Sequence, residues 1–348
     1  MRLNSKSKSP QANAHLSLGL DNILRFRERP DNMAVLNEAE RDLKIALEQD
    51  PAFLPAVYYR AIVRQLKGEN DLAISDLTTV IETKSPFKAE ARFNLGVALF
   101  NKNHREDLEE AESEFQTVLK SKAISKQLRL QTLASLTEVY CRLMIQKNPE
   151  QPHLEVVQEN FRRVLQVEAH FRSGLYAEKP KEEKLDPEIE SRIENALGLG
   201  YMFAADYCSS IAPPEGSEIP RATLLREARE RFERADTFSP DNWAILCNLG
   251  SIWMRFCYWI STRARKDTAH ESTERSEHYL MRVIDKVRPN YGFALYELGR
   301  LHRINGDFAV AEEWFGRAAA IPEPKRNVGE SSLNREIQRA RNHSTVFP

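Results

Sequence analysis

The chain predicts an all-α fold, a solenoid of about seven antiparallel helix pairs closed by a C-terminal capping helix. Three observations carry that expectation. First, one order of small and large apolar residues recurs along nearly the whole sequence. Between Tyr291 and Ala320 it reads Leu298-Gly299, then Gly306-Asp307, then Ala311, Trp314-Phe315 and Ala318. Second, 29% charged and 41% hydrophobic residues suit amphipathic helices rather than a disordered chain. Third, there is no stretch of β-branched residues in strand-like alternation.

Each pair can be justified in order. Residues 1–11 are basic and polar and predict a disordered lead. The first pair, 12–51, rests on Leu18-Gly19 and then on Ala39, Leu43, Ala46 and Pro51. The second, 55–86, carries Tyr58, Tyr59 and Ala61, then Gly68, Ala73, Leu77 and Val80. The third, 88–122, opens on Leu95-Gly96 and Leu99 and closes on Ala111, Phe115 and Val118. A fourth, 126–169, is weaker, with Leu136 and Tyr140 followed by Val157, Phe161 and Val164. The fifth, 188–240, joins Leu197-Gly198 and Tyr201 to Ala228, Phe232 and Ala235. The sixth, 243–289, has Trp243, Leu249-Gly250 and Trp253, then Met281 and Ile284. The seventh is 291–322. A small residue beside each Leu allows two helices to approach closely. Gly306 suits a left-handed helix stop, and Phe315 and Ala318 are expected to face the following element. The tail, 323–348, contains Ser332 followed by Leu333, Ile337 and Ala340 at helical spacing, which predicts the cap. Deleting Ser331 to Pro348 should then expose apolar surface.

Several connections read as stretched. These are Asn103 to Glu110, Gln146 to His153, Phe171 to Pro187 with its charge run, Ser209 to Pro220 with Pro213-Pro214, and Arg263 to Ser276. The segments Gly174 to Pro187 and Ser209 to Pro220 are the expected sites of first proteolysis.

Chemistry-bearing motifs are scarce. There is no zinc-protease helix, no phosphate loop and no nucleophile elbow. Gly198-Leu199-Gly200 lacks a third glycine and reads as helix packing. His270, Glu274 and His278 share one helix face but read as a solvated charged surface. No cofactor and no metal are expected, and the chain reads as no enzyme. A formal charge of −1 gives no reason to expect nucleic acid. The segment Ala244 to Ile260 is too short and too polar to span a bilayer, so no membrane is expected either. Without an export signal, Cys141, Cys208, Cys247 and Cys257 read as buried thiols in a cytoplasmic protein.

The recurrent Leu-Gly, Gly-Asp, Ala and Trp-Phe order resembles the tetratricopeptide repeat family. The resemblance implies a right-handed solenoid whose first helix in each repeat lines a concave groove. With the Leu-Gly pair as anchor, the implied groove residues include Tyr58 in the second repeat and Phe93, Asn94 and Phe100 in the third. They continue with Asn195 in the fifth, Asn248 and Arg255 in the sixth, and Tyr296, Arg300 and Arg303 in the seventh. One end would be aromatic and apolar, and the other basic and suited to an acidic group. The two-carboxylate clamp of the chaperone-binding members is not reproduced. Asn94 and Asn248 match its central asparagine, but their neighbours do not, so a chaperone C-terminal tail is not the expected ligand. The resemblance therefore implies a non-enzymatic scaffold or adaptor for a protein or peptide. The alternative is a regulatory or sensor subunit of a separately encoded enzyme.

Overall fold

The computed structural model describes residues 6–29, 32–146, 152–174, 186–211, 218–261, 266–322 and 328–345. The described chain is helical apart from one two-residue strand pairing, and it divides into two units at Gln146.

The first unit holds α1 (Pro10–Glu28), α2 (Met33–Gln49), α3 (Leu54–Leu66), α4 (Asn70–Glu82), α5 (Lys88–Lys102), α6 (Arg105–Lys120) and α7 (Lys126–Ile145). Each helix packs on the next, and α1 on α3, α3 on α5 and α5 on α7 are neighbours as well. That pattern is a stack of helix hairpins. Within the segment 1–11 expected to be disordered, α1 already begins at Pro10. Ser9 caps α1 by accepting from the Ala12 N–H at 3.2 Å, and Pro10 occupies the first turn, where no backbone donor is needed. The stretch after Asn103 is also not a long connection. Asn103 takes a left-handed conformation (φ 61°), and α6 begins at Arg105.

The second unit holds α8 (His153–Gly174), α9 (Pro187–Tyr207), α10 (Arg221–Phe238), α11 (Trp243–Ser261), α12 (Lys266–Arg282), α13 (Gly292–Asn305), α14 (Phe308–Ala319) and α15 (Glu330–Arg341). A π-helical turn, Val283–Val287, continues α12. Most of the connection read as stretched, Arg263 to Ser276, is helix, since α12 begins at Lys266. Between α9 and α10, β1 (Ser210–Ile211) pairs antiparallel with β2 (Ile219–Pro220), which closes the base of that connection. The tip of the connection, 212–217, and most of the charged segment, 175–185, lie outside the described residues.

The recurrent Leu-Gly pair has one physical meaning in both units. A Cβ on Gly96 would sit 2.6 Å from the Phe115 ring, on Gly198 2.6 Å from Phe232, on Gly250 2.5 Å from Leu280 and on Gly299 2.4 Å from Phe315. Each glycine is the floor on which a large side chain of the second helix of its hairpin lies. Phe315 thus packs back into its own hairpin, a correction to the expectation that it faces the following element. Gly200 takes Val164 of α8 in the same way on the other side of α9, so both glycines of Gly198-Leu199-Gly200 are packing residues. Gly306 ends α13 at φ 90°, as its position predicts.

The cap is real and begins before Ser332, with Gly329 at its N-cap and Glu330 as its first residue. α15 packs on α13 and α14 and buries Leu333 and Ala340, with Ile337 half-buried.

Candidate binding groove

In the first unit the site residues lie on α3 and α5. Tyr58 is buried, with its ring edge-on to Tyr59 and Phe87. Its hydroxyl accepts from Asn94 Nδ2 at 2.7 Å, and burial pushes its phenol well above the usual range. Asn94 Nδ2 also donates to the Glu90 carbonyl at 3.0 Å, and Gln65 donates to the Asn94 carbonyl at 2.6 Å. These three polar side chains tie α3 to α5. Tyr58 and Asn94 therefore brace α3 against α5 rather than standing open to a ligand.

Phe93, Val97 and Phe100 are different. They fall at i, i+4 and i+7 on one face of α5, and all three are half-buried. Phe93 leans on Phe115, with ring centroids 5.7 Å apart. The Arg142 guanidinium of α7 stands 5.8 Å from the Phe100 centroid. Ile62, half-buried, is on the neighbouring α3. The result is an apolar strip flanked by one cation.

In the second unit the side chains expected to read an acidic partner already have acids of this chain. Asn248 of α11 donates to Asn195 Oδ1 of α9 at 2.8 Å. Arg255 makes a bidentate pair with Asp206, at 2.7 and 2.6 Å, and donates to the Ser251 carbonyl. Arg300 donates to Glu297 at 2.7 Å, and the other Glu297 oxygen accepts from Ser251. Burial opposes the charge on Arg300, but Glu297, together with Tyr296 and Glu336, outweighs it and raises the guanidinium's pKa. Tyr296, 5.7 Å beneath Arg300, is pushed up to about 12 by burial.

Arg303 departs furthest from the expectation. It is fully buried, with Nε donating to Glu336 of α15 at 2.8 Å and Nη1 donating to the Ser344 carbonyl. The capping helix brings its own carboxylate to the arginine that was expected to bind a partner's. Burial lowers the Arg303 pKa, and Glu336 only partly offsets it. A basic end open to an acidic ligand is therefore not what these arginines form.

Sequence reasoning also missed a buried ionic junction in this unit. Arg231 of α10 pairs with Glu194 of α9 at 3.0 Å and with Glu168 of α8, and the Tyr201 hydroxyl donates to Glu168 at 2.7 Å. The available signal was Arg231 lying directly beside the buried Phe232 in an otherwise solvated charge run. Among the described residues no group of histidine, cysteine and carboxylate side chains could hold a metal ion. His270 simply pairs with Glu274 at 3.2 Å on an exposed face. No described helix is long and apolar enough to cross a membrane.

Stacked helix hairpins with a small residue under each large one define a helical-repeat architecture. Residues 60–125, from α3 through α6, match the tetratricopeptide repeat family model. Those residues carry the tetratricopeptide repeat pattern, and the all-α fold of the chain is of that type. A tetratricopeptide repeat protein from Parabacteroides merdae is similar in structure, with a TM-score of 0.54 and 12% identity over 96% of this chain and 100% of that one. PilF of Pseudomonas aeruginosa scores 0.44 at 16% identity, covering 77% of this chain and 91% of its own. A human IFIT1 dimer with m7Gppp-AAAA scores 0.43 at 14% identity, covering 98% of this chain and 75% of its own. At these identities the likeness is one of fold. No curated protein matches the chain in sequence.

Proposed function

We propose that this chain is a non-enzymatic interaction module whose first unit binds an apolar peptide segment along α5. The observation that carries the proposal is the row Phe93, Val97 and Phe100, half exposed on one helix face beside Ile62 and Arg142. Such a row matches the spacing by which an amphipathic helix or an extended segment presents alternate apolar side chains. Arg142 over the Phe100 ring would orient a carbonyl or carboxylate at one end of the ligand. The arginines of the second unit take no part in this reading, since Asp206, Glu297 and Glu336 already pair with them.

The test selects peptides from a displayed random library on the intact chain and measures their affinity by fluorescence anisotropy. Phe100→Ala should weaken the selected peptides by about 2 kcal/mol, roughly thirtyfold, because it removes an aromatic anchor. Because the contact is apolar, the loss should persist at high salt. Undiminished affinity in both Phe93→Ala and Phe100→Ala, with wild-type helicity, would place peptide binding elsewhere.

A further inference from the structure

On the other side of α3 lies a second site of opposite character. Arg60 and Arg64 are one turn apart, and each is about half a turn around the helix from the Tyr58 and Ile62 side. With Asn37, Glu40, Arg41 and Lys44 of α2 they line an open cavity of about 480 Å³. That volume is in the range of small-molecule sites.

The charges in this cavity do not balance. Four cations line it against one carboxylate, Glu40. Behind it, Asp76 of α4 receives both arginines. Arg60 donates Nε and Nη2 to it at 2.9 and 2.7 Å, and Arg64 donates Nη1 at 2.7 Å. One buried carboxylate thus fixes two guanidinium planes without neutralising them. Glu40 is itself shared. It accepts from Lys67 at 2.7 Å and lies 3.6 Å from Arg64 Nε. Arg41 and Lys44 are exposed, and no partner holds them among the described residues. This excess sits in a chain whose formal charge is −1, so it is a local feature rather than a general basicity.

We infer that the cavity between α2 and α3 is a binding site for a compact oligophosphate, a small molecule carrying two or more linked phosphate groups. The Asp76 pairings prepare the arginines for it. Planar guanidinium groups held in place match phosphate oxygens bidentately, at little further cost in side-chain entropy. Arg41 and Lys44 supply unspent charge at the rim, and the Asn37 amide can donate beside them. A single carboxylate ligand would leave most of this charge unanswered, whereas linked phosphates carry several negative charges in the same space. The site is on a different face of α3 from the apolar strip, so it operates independently of peptide binding there.

The experiment is calorimetric titration of the intact chain with sodium tripolyphosphate in about 0.1 M salt. The expected result is one saturable site. Arg41→Glu combined with Lys44→Glu alters only exposed side chains and should weaken binding at least tenfold. Glu40→Gln, which removes the sole lining carboxylate, should tighten it. Lys120→Glu with Lys122→Glu makes the same charge change on exposed residues outside the cavity and should alter affinity less than twofold. Adenosine triphosphate, tested alongside, distinguishes a nucleotide from a bare oligophosphate, and the site accepts the phosphate chain of either. No saturable binding of tripolyphosphate, equal losses in the two charge-reversed variants, or unchanged affinity in Glu40→Gln would each overturn the assignment.

Discussion

Replacing Glu336 by alanine should undock the C-terminal helix. Glu336 and Arg303 lie 2.8 Å apart with side-chain exposures of 2% and 0%. Without the carboxylate, a guanidinium remains buried with the Ser344 carbonyl as its named acceptor. Breaking a buried pair from one side costs about 3–5 kcal/mol, because the surviving charge is desolvated without compensation. Arg303 escapes that cost only if α15 lifts away and water enters. In a repeat architecture such a loss stays near the end where it occurs, so a global melting temperature would blur it. Hydrogen exchange read by mass spectrometry resolves it. Protection of the α15 amides should fall by about two orders of magnitude, the equivalent of roughly 3 kcal/mol, while α5 and α6 stay unchanged. Arg303→Met with Glu336→Leu removes both charges and should retain the helix, since a well-packed apolar pair often equals or exceeds a buried ion pair. Exchange in Glu336→Ala within about threefold of wild type would refute the reasoning. It would mean that Leu333 and Ala340 alone hold the cap.

Three further outcomes follow from the packing and the charges. Gly96→Ala should lower the melting temperature, because overpacking against the Phe115 ring costs about 1–3 kcal/mol while the helix gains about 1 kcal/mol from losing a glycine; adding Phe115→Leu should restore part of the loss. Lys67→Met should cost about 0.2–1 kcal/mol near neutral pH, as expected for a partly exposed pair with Glu40. The Lys67 hydrogen bond lowers the Glu40 pKa below 4.5, so the stabilisation is present above that value and is lost as pH falls through the folded value. The Glu40 hydrogen bond raises the Lys67 pKa above 10.5, so the same pair also weakens as pH rises through that folded value; equal urea midpoints for wild type and Lys67→Met at neutral pH would remove the pair's role. Burial raises the pKa of the Cys141 and Cys247 thiols, so both should resist a thiol reagent at pH 8 in the folded chain and react after denaturation. Rapid labelling of either in the native state would contradict its burial.

What could be read from the sequence was local. Leu298-Gly299 at the helix crossing, Gly306 at its helix end, and Leu333 with Ala340 in the tail all appear in the structure where their spacing put them. The same periodicity also put Phe93 and Phe100 on one face of a helix. Each of those features depends on residues within two turns of one another or on the partner helix of the same hairpin. Helical geometry fixes such relations once the period is known.

The partners of polar side chains were not local, and only the tertiary structure decided them. Arg303 finds Glu336, Arg255 finds Asp206, Asn248 finds Asn195 and Tyr58 finds Asn94, each across a helix interface and dozens of residues of sequence. A periodic pattern says which way an arginine faces, but not whether the helix stacked against it brings a carboxylate to the same height. That depends on the register of one helix against another, which small shifts in crossing angle and loop length control. For this reason the sequence alone determined a stack of tetratricopeptide-type helix pairs and its cap. The packed structure decided that Arg303 serves that cap and Arg300 pairs with Glu297 of its own helix, and it left unbalanced charge on α2 and α3 instead.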